Sequence, residues 1–306
     1  MTKPKRSEVA QGTIYGFIAY IIWGIVPIYW PKLQPAGPLE ILAHRVVWSL
    51  VVLSIFLWVK HKWNHVAAVF KDKRKVWLLA LASVLIAVNW GLFIWASVSG
   101  RILDSSLGYY INPLFSIALG VVLLKEKLRR LQWFAIWVAG LSVLYLTVTL
   151  GAPPYVALSL ALTFSLYGYI KKLANVEAIE SLTIETIILT PLSLGYLYFL
   201  FTQGDNTFGA FGISHAAWLS SAGIITAIPL ALFGAAAIRI PLSTLGFIQY
   251  IGPTLQFFIG LYMFNEPMPR DRFIGFLLTW VAILIISIDA LMNRSKVTKE
   301  YVPDLD

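Results

Sequence analysis

The sequence predicts an all-α polytopic membrane protein: ten transmembrane helices in two inverted five-helix repeats, with both termini cytoplasmic. Three observations lead there. Of the 306 residues 58% are apolar and only 13% charged, and the mean hydropathy is +0.76. A soluble domain is about 45–50% apolar and about 25% charged, so no single water-soluble core could hide this much apolar surface. The apolar residues fall into runs of about 20, the length a helix needs to cross the hydrocarbon. Finally, YINPLFSIALG at 110–120 returns as YIGPTLQFFIG at 250–260, 140 positions later.

Each run is taken in order. The first, 12–31, follows Lys3, Lys5 and Arg6. Its length, Trp23, Pro27 and the lack of a small-x-small cleavage site make it a permanent span rather than a cleaved signal. The second, 39–59, opens after PAGP (35–38) and carries Glu40, His44 and Arg45. Spans 76–98, 102–124 and 130–150 complete a first set. Spans 155–173, 182–202, 215–237, 241–264 and 270–292 make a second. Alternation puts 19 of the 24 basic residues on the side of the N-terminus and four on the other, with Arg45 inside a span. That bias fixes both termini as cytoplasmic. It also accounts for the net charge of +9 without nucleic acid as a partner. Cysteine is absent, which excludes disulfides and thiolate chemistry.

The recurrence extends along the chain. Tyr110, Ile111, Pro113, Gly120 and Glu126 match Tyr250, Ile251, Pro253, Gly260 and Glu266. Upstream, Arg101, Ser105, Leu107 and Gly108 match Arg239, Ser243, Leu245 and Gly246. Trp23-Gly24 echoes Tyr167-Gly168, and Glu40 echoes Glu185. The repeats are 10–150 and 151–292, followed by a cytoplasmic tail, 293–306. Five helices is an odd number, so the second copy enters the membrane upside down. Inverted repeats are a common architecture of alternating-access carriers, with cargo held between the copies near the midplane.

Polar residues inside spans are expensive and nominate the site. Glu40 and His44 are four apart and share a helix face; together they form a pair able to exchange a proton. Arg45, beside them, either holds Glu40 charged or binds a carboxylate or phosphate on the cargo. Glu40 also lies where the helix dipole favours an acid, and the same holds for Glu185. Asn112 and Gln249 need partners in the membrane. Pro113 and Pro253 free backbone carbonyls and shape the helices around them. Trp23, Asn89, Trp90, Tyr109, Tyr110, Tyr167 and Tyr250 are candidates to line a cavity for an amphipathic cargo. Lys171 and Lys172 are expected to snorkel at a span end. Glu126 and Glu266 are expected to lock helix ends. No Walker or Rossmann motif is present, and His61 and His65 lack the carboxylate of a metal site. No metal or cofactor is expected.

WGIVPIYW (23–30), EILAHRVVWS (40–49), NWGLFIWA (89–96), SLGYYINPL (106–114), LYGYIKK (166–172), ETIILTP (185–191) and LGFIQYIGPTLQFFIG (245–260) together resemble the EamA-type permeases of the drug/metabolite transporter superfamily, and most of all their RarD group. The resemblance covers nearly all of residues 10–290. Asp104 and Ser99 depart from it, standing where Glu and Asn are common. It implies ten helices, two inverted repeats, a bacterial inner-membrane location and transport of a small metabolite or drug-like molecule.

The expected function is a secondary active transporter, driven by a proton gradient or by the cargo's own gradient, that moves a small-molecule cargo, with export favoured over import, and is not an enzyme. A membrane-embedded enzyme acting on a hydrophobic substrate and a passive channel are the alternatives. Cargo, coupling ion and oligomeric state, monomer or homodimer, stay open.

Overall fold

A computed structural model of the chain describes residues 6–124, 129–237, 239 and 248–292. The tail 293–306, Glu126, Ser243, Leu245 and Gly246 lie outside the described residues. No strand occurs among the described residues. The chain forms α1 (Arg6–Ile25), two 3₁₀ turns (Val26–Ile28 and Trp30–Leu33), α2 (Pro38–Val59), α3 (Trp63–Phe70), α4 (Lys73–Val98), α5 (Ile102–Leu124), α6 (Arg130–Leu150), α7 (Tyr155–Ala174), α8 (Ala178–Gln203), α9 (Gly212–Ala237), α10 (Ile251–Phe258) running into a π turn (Ile259–Met263), and α11 (Arg270–Met292). Seven of these, α1, α2, α4, α6, α8, α9 and α11, are long and apolar enough to cross a membrane.

Local chemistry sets the helix ends. Pro27 and Pro31 each stand in the first turn of a 3₁₀ segment. Proline has no N–H to extend the α ladder, so α1 stops short of residue 31, its expected end, and the chain tightens. Helix α2 starts on Gly37 with Pro38 at its first position, where the missing N–H has no partner to lose. The Asp72 carboxylate accepts from the N–H groups of Arg74 (3.0 Å) and Lys75 (3.1 Å) and caps α4. Helix α8 begins at Ala178, earlier than its apolar run, because its first turn is buried around Glu180. Helix α3 is a short element between two spans that an inventory of long apolar runs passes over.

The matched prolines sit differently. Helix α5 continues through residue 113. Pro253 is instead the third residue of α10, just past a break at Tyr250, so its missing N–H falls in the first turn, where no intrahelical bond is lost.

Counting α1, α2, α4, α5 and α6 as one to five and α7 to α11 as six to ten, with α10 only eight residues long, the main packing pairs between the sets are four–six, five–ten, three–six, two–eight, two–seven, one–eight, one–nine, four–nine and three–seven. Exchanging the two sets leaves that list unchanged. Small residues allow the tight crossings. A methyl on Gly223 of α9 would lie 2.3 Å from the Trp48 carbonyl oxygen of α2, and one on Gly108 of α5 would lie 2.8 Å from the Ala157 carbonyl oxygen of α7.

The connections divide between two ends of the bundle. At the upper end lie 26–37, 99–101, 151–154, 204–211 and 264–269; at the lower end lie 60–72 and 175–177. One apolar cluster, with Tyr29, Trp30, Leu33, Ile41, Phe93 and Leu219 among its members, joins the upper halves of both sets. The lower halves meet in several clusters, among them Leu57, Val66, Leu79, Ala174 and Ile184 in one, Leu114, Ala135, Val138 and Ala282 in another, and Tyr20, Ala236 and Ile248 in a third.

Candidate functional site

The buried polar candidates cluster on α2, α4, α7 and α8, which pack against one another across the two sets. Glu40 is buried in the first turn of α2. It shares a helix face with His44, as the four-residue spacing requires, but the two do not form the expected pair. The Glu40 carboxylate accepts from the Thr207 N–H (2.7 Å) and hydroxyl (2.9 Å). The His44 ring stacks on Phe208 with centroids 4.8 Å apart, and neither ring nitrogen has a partner. Both side chains therefore grip the 204–211 connection, which lay too far along the chain for spacing to reveal.

Arg45 points elsewhere. Only 7% of it is exposed. Its Nε donates to the Thr226 hydroxyl at 2.9 Å. The guanidinium lies 3.8 Å from the centre of the Trp90 ring and 5.2 Å from that of Trp30, both within cation–π range. Among the described residues no carboxylate reaches it within 4 Å, so it does not hold Glu40 charged.

Across the same cluster that holds Trp90 lies Tyr167. Its hydroxyl donates to Glu185 at 3.0 Å. Lys171 pairs with the same carboxylate at 2.6 Å, and the Ser181 hydroxyl donates to it at 2.8 Å. Lys171 does not snorkel at a span end; it is four-fifths buried against a fully buried Glu185.

Register changes one match. Glu40 is the third residue of α2 and Glu180 the third of α8. Counted so, Glu40 corresponds to Glu180, at the same 140-residue offset as the tyrosines, and Arg45 corresponds to Glu185. Glu180, too, faces the connection beyond the symmetry-related helix: Lys62 lies 3.8 Å away and His65 3.6 Å. That corner holds a cavity of about 180 Å³ lined by His65, Lys75, Asn175, Glu177 and Glu180. Helix α2 thus binds the 204–211 connection at the upper end, and α8 the 60–72 connection at the lower end.

The remaining candidates divide. Asn89 donates to the Leu160 carbonyl and the Thr163 hydroxyl, both at 3.0 Å. Asn112 donates to the Ala161 carbonyl (3.2 Å) and the Ser165 hydroxyl (3.0 Å). Both tie their helices to α7 and are committed. Tyr110 and Tyr250 stack with centroids 6.4 Å apart, so the matched tyrosines meet each other. Tyr110 also bonds Thr254 at 2.7 Å, and Ser106 donates to the Pro253 carbonyl at 2.7 Å. The Trp23 ring packs on Tyr20 and Phe233. Gln249 is half-buried, without a hydrogen-bond partner among the described residues. Glu266 accepts from the N–H groups of Ile102 and Leu103 and so caps α5 from the other set. Burial pushes its carboxyl above the usual range, opposed by those two donors. Asp104 pairs with Arg272 at 3.3 Å beside it.

A model of the EamA-like transporter family matches residues 10–148. Protein RarD of Streptomyces exfoliatus is 48% identical over 95% of this chain and 92% of its own length. The chain belongs to this family, in its RarD group. An uncharacterized transporter of Bacillus subtilis, YojE, is 41% identical over 92% of this chain and 95% of its own. A solved crystal structure superposes with a TM-score of 0.60 at 18% identity, covering 92% of this chain and 98% of that one; it shows the shared fold. With its seven apolar spans, this RarD-group chain is a multi-pass protein of the bacterial cell membrane and a membrane transporter.

Sequence reasoning passed over Thr226, Ser181, Glu180 and Gln256, whose buried side-chain amide donates to the Trp23 carbonyl at 3.2 Å. The first two are short hydroxyls of the kind every helix carries, and nothing local marks them. Glu180 carried a signal, the 140-residue offset from Glu40. Gln256 lies in the matched stretch but has no counterpart at 116, a serine.

Proposed function

We propose that this chain is a secondary active transporter of ten spans in two inverted repeats, both termini cytoplasmic, that exports a small molecule by alternating access. The observation that carries the reading is the pair of latches at opposite ends. Glu40 of α2 holds Thr207, and Glu180 of α8 faces Lys62 and His65, related by the exchange of the two sets. Alternating access needs two gates related in this way. Here the upper one is closed by hydrogen bonds and a joined apolar cluster. Among the described residues, the lower one holds ionic contacts of 3.6 and 3.8 Å, longer than the hydrogen bonds of the upper one. The positive-inside rule makes the upper end the outer one. Export then loads cargo from the cytoplasmic side, the side with the longer contacts.

Proton coupling does not rest on a Glu40–His44 pair, since the two are not in contact. We place it on Glu185, whose carboxylate is fully buried and held by Lys171, Tyr167 and Ser181. An enzyme would need such groups converging on one reacting atom; Arg45 and Glu185 instead meet separate partners, Thr226 and Trp90 for the one and Lys171, Tyr167 and Ser181 for the other.

The test uses the absence of native cysteine. One cysteine pair replaces Tyr29 and Ser221, whose hydroxyls lie 2.8 Å apart at the upper end; another replaces His65 and Glu180 at the lower end, and each pair is bridged by a reducible bifunctional thiol reagent, since contacts between side-chain tips exceed the reach of a direct disulfide. Each crosslink is expected to stop uptake into proteoliposomes, and reduction to restore it. Flux that continues with either end locked would refute alternating access.

A further inference from the structure

Each buried carboxylate among the described residues meets donors or cations: Glu40, Glu180, Glu185, Glu266 and Asp289. Arg45 is the one buried arginine among them, and it meets no acid. A buried cation without a counter-charge is costly and persists where function needs it. Its Nε is used by Thr226 and its face by Trp90. The two terminal nitrogens make no hydrogen bond. Unlike the ring nitrogens of His44, which are sealed without partners, they keep accessible surface.

Free terminal nitrogens on one guanidinium present parallel N–H donors, the fork that a carboxylate accepts in bidentate fashion. The buried rings of Trp90 and Trp30, 3.8 and 5.2 Å from the guanidinium, hold it in place and leave its terminal nitrogens for an acceptor. A second free cation, which a dianionic phosphate would need, is not at hand: Lys171 is committed to Glu185. From this geometry we infer that the cargo carries a single negative charge, a carboxylate. The carboxylate docks on the terminal nitrogens of Arg45. The inference rests on the transport reading for its physiological meaning, but binding can be tested apart from flux.

The experiment is a thermal-shift panel on the purified full chain in detergent. Benzoate, phenylacetate and indole-3-acetate are each compared with the matching primary amide, and benzylamine serves as the cation. The acids are expected to raise the melting temperature, and the amides and benzylamine to leave it unchanged. Arg45→Gln should abolish the response, while Arg45→Lys retains a weaker one because it keeps the charge without the fork. Equal shifts from acid and amide, no shift from any acid, or an undiminished response in Arg45→Gln would overturn the inference. The acid–amide contrast needs only the wild-type chain, so a variant that fails to fold does not block the result. Counterflow of the binding acid in proteoliposomes separates the two readings. Binding without counterflow sinks the transport reading and keeps the anion site. Saturable flux of an amine or amide, with no acid bound, does the reverse.

Discussion

At the residue scale, the sequence names which side chains are out of place in a membrane but not what they touch. Glu40, Arg45, Asn89, Asn112 and Glu185 are all buried, as polar residues in apolar runs should be. Their partners, Thr207, Thr226, Leu160, Ala161 and Lys171, come mostly from distant helices, and only three-dimensional packing pairs them. The Lys171–Glu185 pair makes the point testable. Removing one member of a buried ion pair leaves an uncompensated charge and costs about 3–5 kcal/mol, whereas replacing both by apolar groups is often near neutral. Lys171→Met is therefore expected to lower the melting temperature sharply, and Lys171→Met with Glu185→Leu to recover most of it. Transport driven by a pH gradient should stay lost in the double variant. A double variant with intact pH-driven flux would remove Glu185 from the coupling path.

At the element scale, apolar run length located the long helices, and proline chemistry explains where reading and structure part. Residues 26–33 tighten into 3₁₀ turns because two prolines interrupt one stretch. Pro253 lies in a first turn rather than mid-helix, a distinction that depends on the break at Tyr250, which no spacing marks. Helix contacts obey a similar economy of side-chain size. The crossing of α2 and α9 depends on Gly223, where a methyl would overlap the Trp48 carbonyl carbon at 2.4 Å. Backbone cannot yield as a side-chain tip can, and overpacking of this kind costs about 1–3 kcal/mol. Gly223→Ala should lower thermal stability and slow transport together. Gly195→Ala on α8, where a methyl meets nothing within 4 Å, is the control and should hold or gain stability, since alanine outranks glycine in a helix by about 1 kcal/mol. If the two variants melt alike, the close crossing is not what sets that contact.

At the scale of the whole molecule, the recurrence of Tyr-Ile-x-Pro reports a relation between halves that the packing supports: the matched tyrosines stack, and exchanging the two sets preserves the main helix pairs. The charges do not obey that relation. Arg45 occupies one copy and Glu185 the corresponding place in the other, so a cycling carrier would hold its cargo's charge and its proton at different, symmetry-related points. The consequence lies in the driving force. A monovalent anion leaving an inside-negative cell moves one charge with the field, worth about 2.3 kcal/mol per 100 mV. A proton entering in exchange moves a second. At flux equilibrium the gradient should then change tenfold for about every 30 mV of clamped potential, against about 60 mV for export of the anion alone, because a tenfold ratio is about 1.36 kcal/mol. Proteoliposomes clamped with potassium and valinomycin, loaded with an acid that binds Arg45, measure that slope directly. We expect the steeper one in the wild type and the shallower one in Glu185→Gln. A shallow slope in both would mean the anion leaves without a proton, and a gradient indifferent to potential would mean that no net charge crosses with the cargo, as when the anion and a proton leave together.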